Sequence, residues 1–291
     1  MNVDAAWRMA LAQRAAQVYA ENGKLAAFSV AGSVGAGLAD RYSDLELDCY
    51  WWDPPDERDR TVPIGALGGQ VTAMWDYDQD DQEWSEDFRL GELDVTVSNF
   101  LTGTIELFLD DVVLRADTDP VKHMRLASVQ SSQPLIGAEL IASWRARAER
   151  FPDELVSALV EKALSPDALA GWAAREALVR RGDDLAVRDL VARTGHAVVR
   201  AVLALNRVYL PHRTIKWQRH LLTGLGVAPE RLAERLALIT GGPPAEAVAA
   251  AEALLADVVM LTNTHTDAGV AAFRAALAER RRAIDPPERG Y

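Results

Sequence analysis

Asp44 and Glu46 stand in an alternating acidic and apolar run, Asp44-Leu45-Glu46-Leu47. In a strand, residues i and i+2 share a face, so the two carboxylates would project together while Leu45, Leu47 and Cys49 face the other way. Neighbouring carboxylates repel, and folding alone gives no reason to build the pair. A hard cation does give one, because magnesium prefers carboxylate and phosphate oxygens. Upstream, the apolar run Leu25 to Ala31 leads into Gly32-Ser33, with ten residues between Ser33 and Asp44. Gly32 and Gly35 let the backbone approach a phosphate closely, and Ser33 can donate a hydrogen bond to it.

A second period-two run, Glu92-Leu93-Asp94-Val95-Thr96-Val97, puts Glu92, Asp94 and Thr96 on one face and Leu93, Val95 and Val97 on the other. An apolar strand, Gly-Ser, a ten-residue spacer and Asp-apolar-Glu-apolar together resemble the nucleotidyltransferase superfamily, which includes DNA polymerase β and the aminoglycoside and lincosamide nucleotidyltransferases. The resemblance covers the first third of the chain. It implies a transferase that moves a nucleoside monophosphate, by analogy AMP from ATP, to an acceptor hydroxyl with release of pyrophosphate. On that resemblance Gly32 and Ser33 hold the terminal phosphates, and Asp44 and Glu46 coordinate magnesium, with two ions expected. A third carboxylate, Asp94 with Glu92 in reserve, completes the metal site or takes the acceptor's proton.

Positioning these groups requires an α/β domain with a mixed sheet. An opening helix is expected over residues 4–22, ended by Asn22-Gly23, followed by strands over 25–31 and 45–52. Between them a loop enters a short helix up to Asp40. Asp53-Pro54-Pro55-Asp56 stops the second strand, Asp56 to Arg60 reads as a charged surface turn, and a third strand spans Gly69 to Tyr77. Residues 76–87 carry seven acids and no basic residue. With Trp75, Tyr77, Trp84 and Phe88 interleaved, the segment reads either as a lip for a cationic acceptor or as a solvated acidic loop whose aromatics tuck into the core. Helices follow over Thr104 to Leu114 and from Asp119-Pro120 to Val129.

Gln133-Pro134 and Gly137 then break the pattern, which places a catalytic domain at 1–135 and an all-α bundle at 136–291. Ser165-Pro166-Asp167, Asp183-Asp184 and Ala228-Pro229-Glu230 signal helix starts, while Gly182, Gly241-Gly242 and Asp285-Pro286 signal stops. Pro211 is expected to break or kink a helix, aiming Tyr209, Arg213 and Lys216 at an interdomain cleft. By the resemblance, Lys216 meets the β- and γ-phosphates, Arg213 assists it, and Tyr209 lies beside the base. Arg207 to His212 and Arg213 to His220 also resemble the Arg-to-His spacing of helical ribonucleases, a two-residue motif too short to carry an assignment. His123 and His196 lack metal-ligand spacing and read as packing or surface residues.

The formal net charge of −12 disfavours loose binding to nucleic acid and suits a cationic acceptor. No apolar run is long enough to span a bilayer, and the N-terminus lacks the form of a signal peptide, so a cytoplasmic protein is expected. The single cysteine, Cys49, is expected to pack in the core. An aminoglycoside-like acceptor comes first, with lincosamides, other metabolites and a protein or RNA hydroxyl open, as is a monomer or a homodimer. A nucleotide-binding regulator or antitoxin is the alternative from a different class.

Overall fold

Asn2 starts the first helix by accepting a hydrogen bond from the Ala5 amide (2.8 Å). Helix α1 (Val3–Tyr19) buries Ala5, Met9, Ala12, Ala16 and Tyr19, a three-to-four-residue spacing that lays one side against a sheet. The computed structural model describes residues 2–262 and 269–282. It divides into two compact units, Met1–Phe151 and Pro152–Tyr291.

In the first unit β1 (Leu25–Val30), β2 (Leu45–Trp51), β3 (Gln70–Asp78), β4 (Glu83–Leu90), β5 (Leu93–Leu101) and β6 (Gln133–Ile136) form one mixed sheet in the order β3-β4-β5-β2-β1-β6. Strands β2 and β5 are parallel, and every other neighbouring pair is antiparallel. A four-residue helical turn, α2 (Gly32–Gly35), follows β1, and α3 (Glu57–Ala66) connects β2 to β3. After β5 come α4 (Thr102–Arg115) and α5 (Pro120–Ser131), then β6 and α6 (Ala138–Ala148).

The alternation read from the sequence is realised in the packing. Leu45, Leu47, Cys49 and Trp51 of β2 join Phe28, Val30, Phe88, Val95 and Val97 in a core that includes the buried side of α1. Cys49 is a wholly buried packing residue. One polar chain runs through this face: Arg60 of α3 pairs with the wholly buried Glu86, Asn99 Nδ2 donates to Glu86 Oε2 (2.8 Å), and Trp51 Nε1 donates to Asn99 Oδ1 (3.0 Å). The opposite face is covered by α5 and α6 from the middle of β2 onward, where Ser128 of α5 donates to Asp48 and the Tyr50 ring meets Trp144 of α6 with centroids 5.0 Å apart.

Three segments differ from the sequence expectation. Residues 57–66 form a helix where a surface turn was expected, because Asp56 and Asp59 make a reciprocal capping box at its start. The acidic stretch is the β3–β4 hairpin, in which Glu86 and Phe88 point into the core while Tyr77 and Trp84 stack with centroids 4.6 Å apart. Gln133–Ile136 pairs with β1 as β6, so the break at Gln133-Pro134 lies inside the first unit, and the division comes later than residue 135, at Phe151.

The second unit is all helix among the described residues. It comprises α7 (Asp153–Ala163), α8 (Arg175–Arg181), α9 (Asp184–Leu205), α10 (Gln218–Leu221), α11 (Leu232–Gly241), α12 (Pro244–Leu261) and α13 (Gly269–Ala278). Helix α9 packs against α7, α11 and α12. Gly182 ends α8 with φ +74°, Asp183 is the cap residue of α9, and Gly242 caps α11. The Ser165-Pro166-Asp167 signal opens a single 3₁₀ turn, Pro166–Leu169. The Asp285-Pro286 stop lies outside the described residues. Arg175, wholly buried, donates to the carbonyls of Trp172 (2.8 Å) and Glu279 (2.9 Å) and stacks on Trp172. No helix among the described residues is long and apolar enough to cross a membrane.

Candidate functional site

The β1–α2 turn is built around Gly32. Its φ is +56°, a left-handed conformation, and an added Cβ would overlap the Glu46 carboxylate. Gly35 is more strictly confined, since a Cβ there would overlap the Val30 carbonyl, a backbone group that cannot swing aside as the Glu46 side chain can. Ser33 holds the following loop by accepting amide hydrogen bonds from Leu38 (2.7 Å) and Ala39 (2.9 Å) at its carbonyl. The turn therefore lies against β2, where glycine takes the left-handed conformation without strain and lets the Glu46 carboxylate sit beside it.

Asp44 is exposed just ahead of β2, and half-buried Glu46 follows on the same face. The connector before them is anchored. Buried Arg8 of α1 donates to the Ser43 carbonyl (2.6 Å), while the Asp40 side chain accepts from the Tyr42 amide (2.9 Å). Glu46 is fixed in turn through its carbonyl, which accepts from the Ala31 amide (2.9 Å).

The parallel register sets Leu45 beside Val95 and Glu46 beside Thr96, which puts Asp94 next to Asp44 on the same face. Asp94 Oδ1 accepts from Arg89 Nε (2.9 Å), an exposed pair, and Thr96 Oγ1 donates to Asp87 (2.7 Å). Glu92 falls in the turn between β4 and β5. The fold thus brings Asp44, Glu46 and Asp94 to one face at one end of two neighbouring strands. It does not gather their carboxylates: no group of three or more His, Cys, Asp or Glu side chains that could hold a metal ion occurs among the described residues.

The same alternation continues to Asp48, which the sequence reading did not single out. Asp48 is buried under α5, where it accepts from Ser128 Oγ (2.8 Å) and Tyr50 Oη (3.3 Å). Burial pushes its carboxyl above the usual range, against the opposing pull of Arg125. Arg125 Nη2 also pairs with Glu83 (2.6 Å), and its guanidinium sits 4.6 Å from the Phe100 ring centroid. Burial raises Glu83 to about 7 although Arg125 draws it down. Asp48 was findable by counting two beyond Glu46. Arg125 lies 42 residues from Glu83 and gave no local signal.

The proposed phosphate-binding residues occupy an irregular connection between α9 and α10. Helix α9 ends at Leu205, before Pro211, because Asn206 ties the chain to Val227 through hydrogen bonds of 2.7 and 2.9 Å. Lys216 and Arg213 are exposed, whereas Tyr209 is 2% exposed, and burial raises its phenol. Tyr209 is therefore a packing residue inside the helical unit, which withdraws the contact with a base expected for it. His123 is buried with Nε2 2.8 Å from the Asp117 carbonyl oxygen, and His196 lies on an exposed side of α9.

A family model described as a domain of unknown function, DUF4037, matches residues 120–218. No curated protein matches the sequence. The crystal structure of a nucleotidyltransferase-like protein from Exiguobacterium sibiricum 255-15, at 1.90 Å resolution, is similar with 14% identity and a TM-score of 0.39, over 88% of this chain and 78% of that one. A likeness at that level assigns no activity to this chain.

Proposed function

We propose that this chain is a magnesium-dependent nucleotidyltransferase that moves a nucleoside monophosphate, AMP from ATP, to a hydroxyl of a small-molecule acceptor. The observation that carries the reading is Gly32, held left-handed against the Glu46 carboxylate while Asp44 projects on the same face beside Asp94. Two same-face carboxylates backed by a glycine that leaves them space are a donor set suited to a hard cation, the remaining positions falling to phosphate oxygens and water. Magnesium bound there would neutralise triphosphate charge and polarise the phosphorus under attack.

The chain's own residues supply alignment. Ser33 donates to the terminal phosphates, and the Gly32 backbone lets them approach. Arg89 holds Asp94 through Oδ1, which leaves Oδ2 to accept the acceptor's hydroxyl proton. The acceptor oxygen then bonds to the α-phosphorus, the bond to the β-phosphate oxygen breaks, and pyrophosphate leaves. Lys216, with Arg213 second, is proposed to neutralise the β- and γ-phosphates. The acidic surface implied by a net charge of −12 favours a cationic acceptor, an aminoglycoside-like antibiotic first, and antibiotic resistance would be its consequence.

Asp44→Asn should lower magnesium-dependent pyrophosphate release by about a thousandfold with every acceptor, on the scale of losing one preorganised electrostatic group. Circular dichroism should not change. Wild-type turnover in that variant would overturn the metal assignment. If labelled ATP binds saturably but no label moves to any small molecule, protein or RNA in a lysate, the chain is a nucleotide-binding regulator or antitoxin instead.

A further inference from the structure

The sheet ends differently on its two sides. At one edge, β6 has four residues and contains Pro134, which offers no N–H, so that edge resists further pairing. At the other, β3 runs nine residues with no proline and no charge before Asp76, and every side chain is exposed or half-exposed. Val71 is 40% and Trp75 48% exposed. Strand β3 lacks two of the devices that blunt an edge, proline and charge over most of its length.

We infer that β3 pairs antiparallel with β3 of a second copy of this chain, about a two-fold axis at Met74. The register with β4 fixes which side chains share a face. Val71 lies opposite Phe88, and Tyr77 stacks on Trp84, four residues from Phe88 on the same strand face. Ala73 lies opposite Asp87 and Trp75 opposite Ser85, on the other face. Strand β3 is irregular in two places, between Val71 and Ala73 and between Trp75 and Asp78. These irregularities flank Met74.

A two-fold axis at Met74 therefore sets Val71 against the second copy's Tyr77, Ala73 against its Trp75 and Gln70 against its Asp78, each pair on a common face. The irregular positions meet each other, Thr72 with Asp76. A slip by one residue would oppose side chains from different faces. The pairing covers both large exposed apolar side chains of the strand with aromatic and aliphatic partners, the kind of cross-strand contact that stabilises sheets. The self-matching register selects the occupant, and charge selects the direction. Antiparallel self-pairing puts Asp76 and Asp78 opposite Thr72 and Gln70, whereas parallel pairing would set each acid beside its own copy.

Light scattering over a concentration series tests the inference, with the mass expected to rise from 31.8 kDa toward twice that value. Trp75→Lys should restore the single-chain mass at every concentration, with an unchanged circular dichroism spectrum. The native thiol of Cys49 is wholly buried, so an engineered thiol reports alone. Under mild oxidation Met74→Cys, on the axis, should form a disulfide-linked dimer at least tenfold faster than Thr72→Cys, off the axis. A single-chain wild-type mass throughout, dimers that survive Trp75→Lys, or equal cross-linking at 72 and 74 would each overturn the assignment. Asp44→Asn should dimerise like the wild type, which separates this inference from the reaction proposed above.

Discussion

The two faces of the sheet use charge in opposite ways. On the face covered by α1 and α3, Glu86 and Arg60 are sealed from solvent, and Asn99 and Trp51 complete a chain in which no buried polar side-chain atom lacks a partner. On the other face the same strands present Asp44, Glu46, Asp87 and Asp94, exposed or half-buried, near the starts of β2 and β5. Asp48 and Glu83 lie between these extremes, on the second face but roofed by Arg125 and Ser128 of α5. A carboxylate satisfied within the protein is structural. Those near the starts of β2 and β5 stay in reach of solvent, Asp94 and Asp87 through exposed or half-buried pairs with Arg89 and Thr96.

Breaking the closed face should have the largest effect. Glu86→Ala leaves the Arg60 guanidinium buried without its partner, and a broken buried pair costs about 3–5 kcal/mol. Thermal unfolding of the sheet unit should move down on the order of 10 °C, and a shift under 2 °C, roughly the smallest resolved by such scans, would contradict the structural role. On the open face, Gly32→Ala should act mainly on activity. The overlap with Glu46 and a left-handed alanine, itself costing about 1–2 kcal/mol, should reduce turnover on the order of a hundredfold, about 2.7 kcal/mol of barrier. Turnover within a factor of about three of wild type, under 1 kcal/mol, would show that the turn is not pressed against a working acid.

The intermediate region sharpens the contrast through pH. Glu83 is raised from its usual range to about 7, so the folded state holds a proton that the unfolded chain releases at lower pH. Its contribution is complete below the ordinary glutamate range and is lost as pH rises through about 7. Glu83→Gln should flatten this slope in denaturant melts between about pH 4.5 and 7, a change of roughly 2 kcal/mol or less across the window. An unchanged slope would mean that Arg125 keeps Glu83 ionised throughout.

What was legible in the sequence was local. Gly32-Ser33 and the Asp44-Glu46 alternation are each short local signals, ten residues apart, and the period of the second reports its strand directly. Strand β4 was not legible, since Glu83-Trp84-Ser85-Glu86-Asp87 puts acids on both faces, and the partner that lets Glu86 be buried is 26 residues away in α3. Helix α3 was obscured by Pro63 and Gly65 despite its capping box. Strand β6 is short and is defined by its pairing with β1, a contact across the chain. Tyr209 read as a binding residue because sequence shows its ring but not the packing around it.

The parallel pairing of β2 with β5 has a topological consequence. The Trp51–Asn99 hydrogen bond joins residues 48 apart, and the loop it closes holds α3 and the whole β3–β4 hairpin. Asp44 and Glu46 precede that loop, and Asp94 lies within it, five residues before its end. The proposed site is thus a non-local object whose contact order belongs to the sheet as a whole. No contiguous fragment shorter than the β2-to-β5 span contains it, and its assembly waits on the entropy of closing that loop.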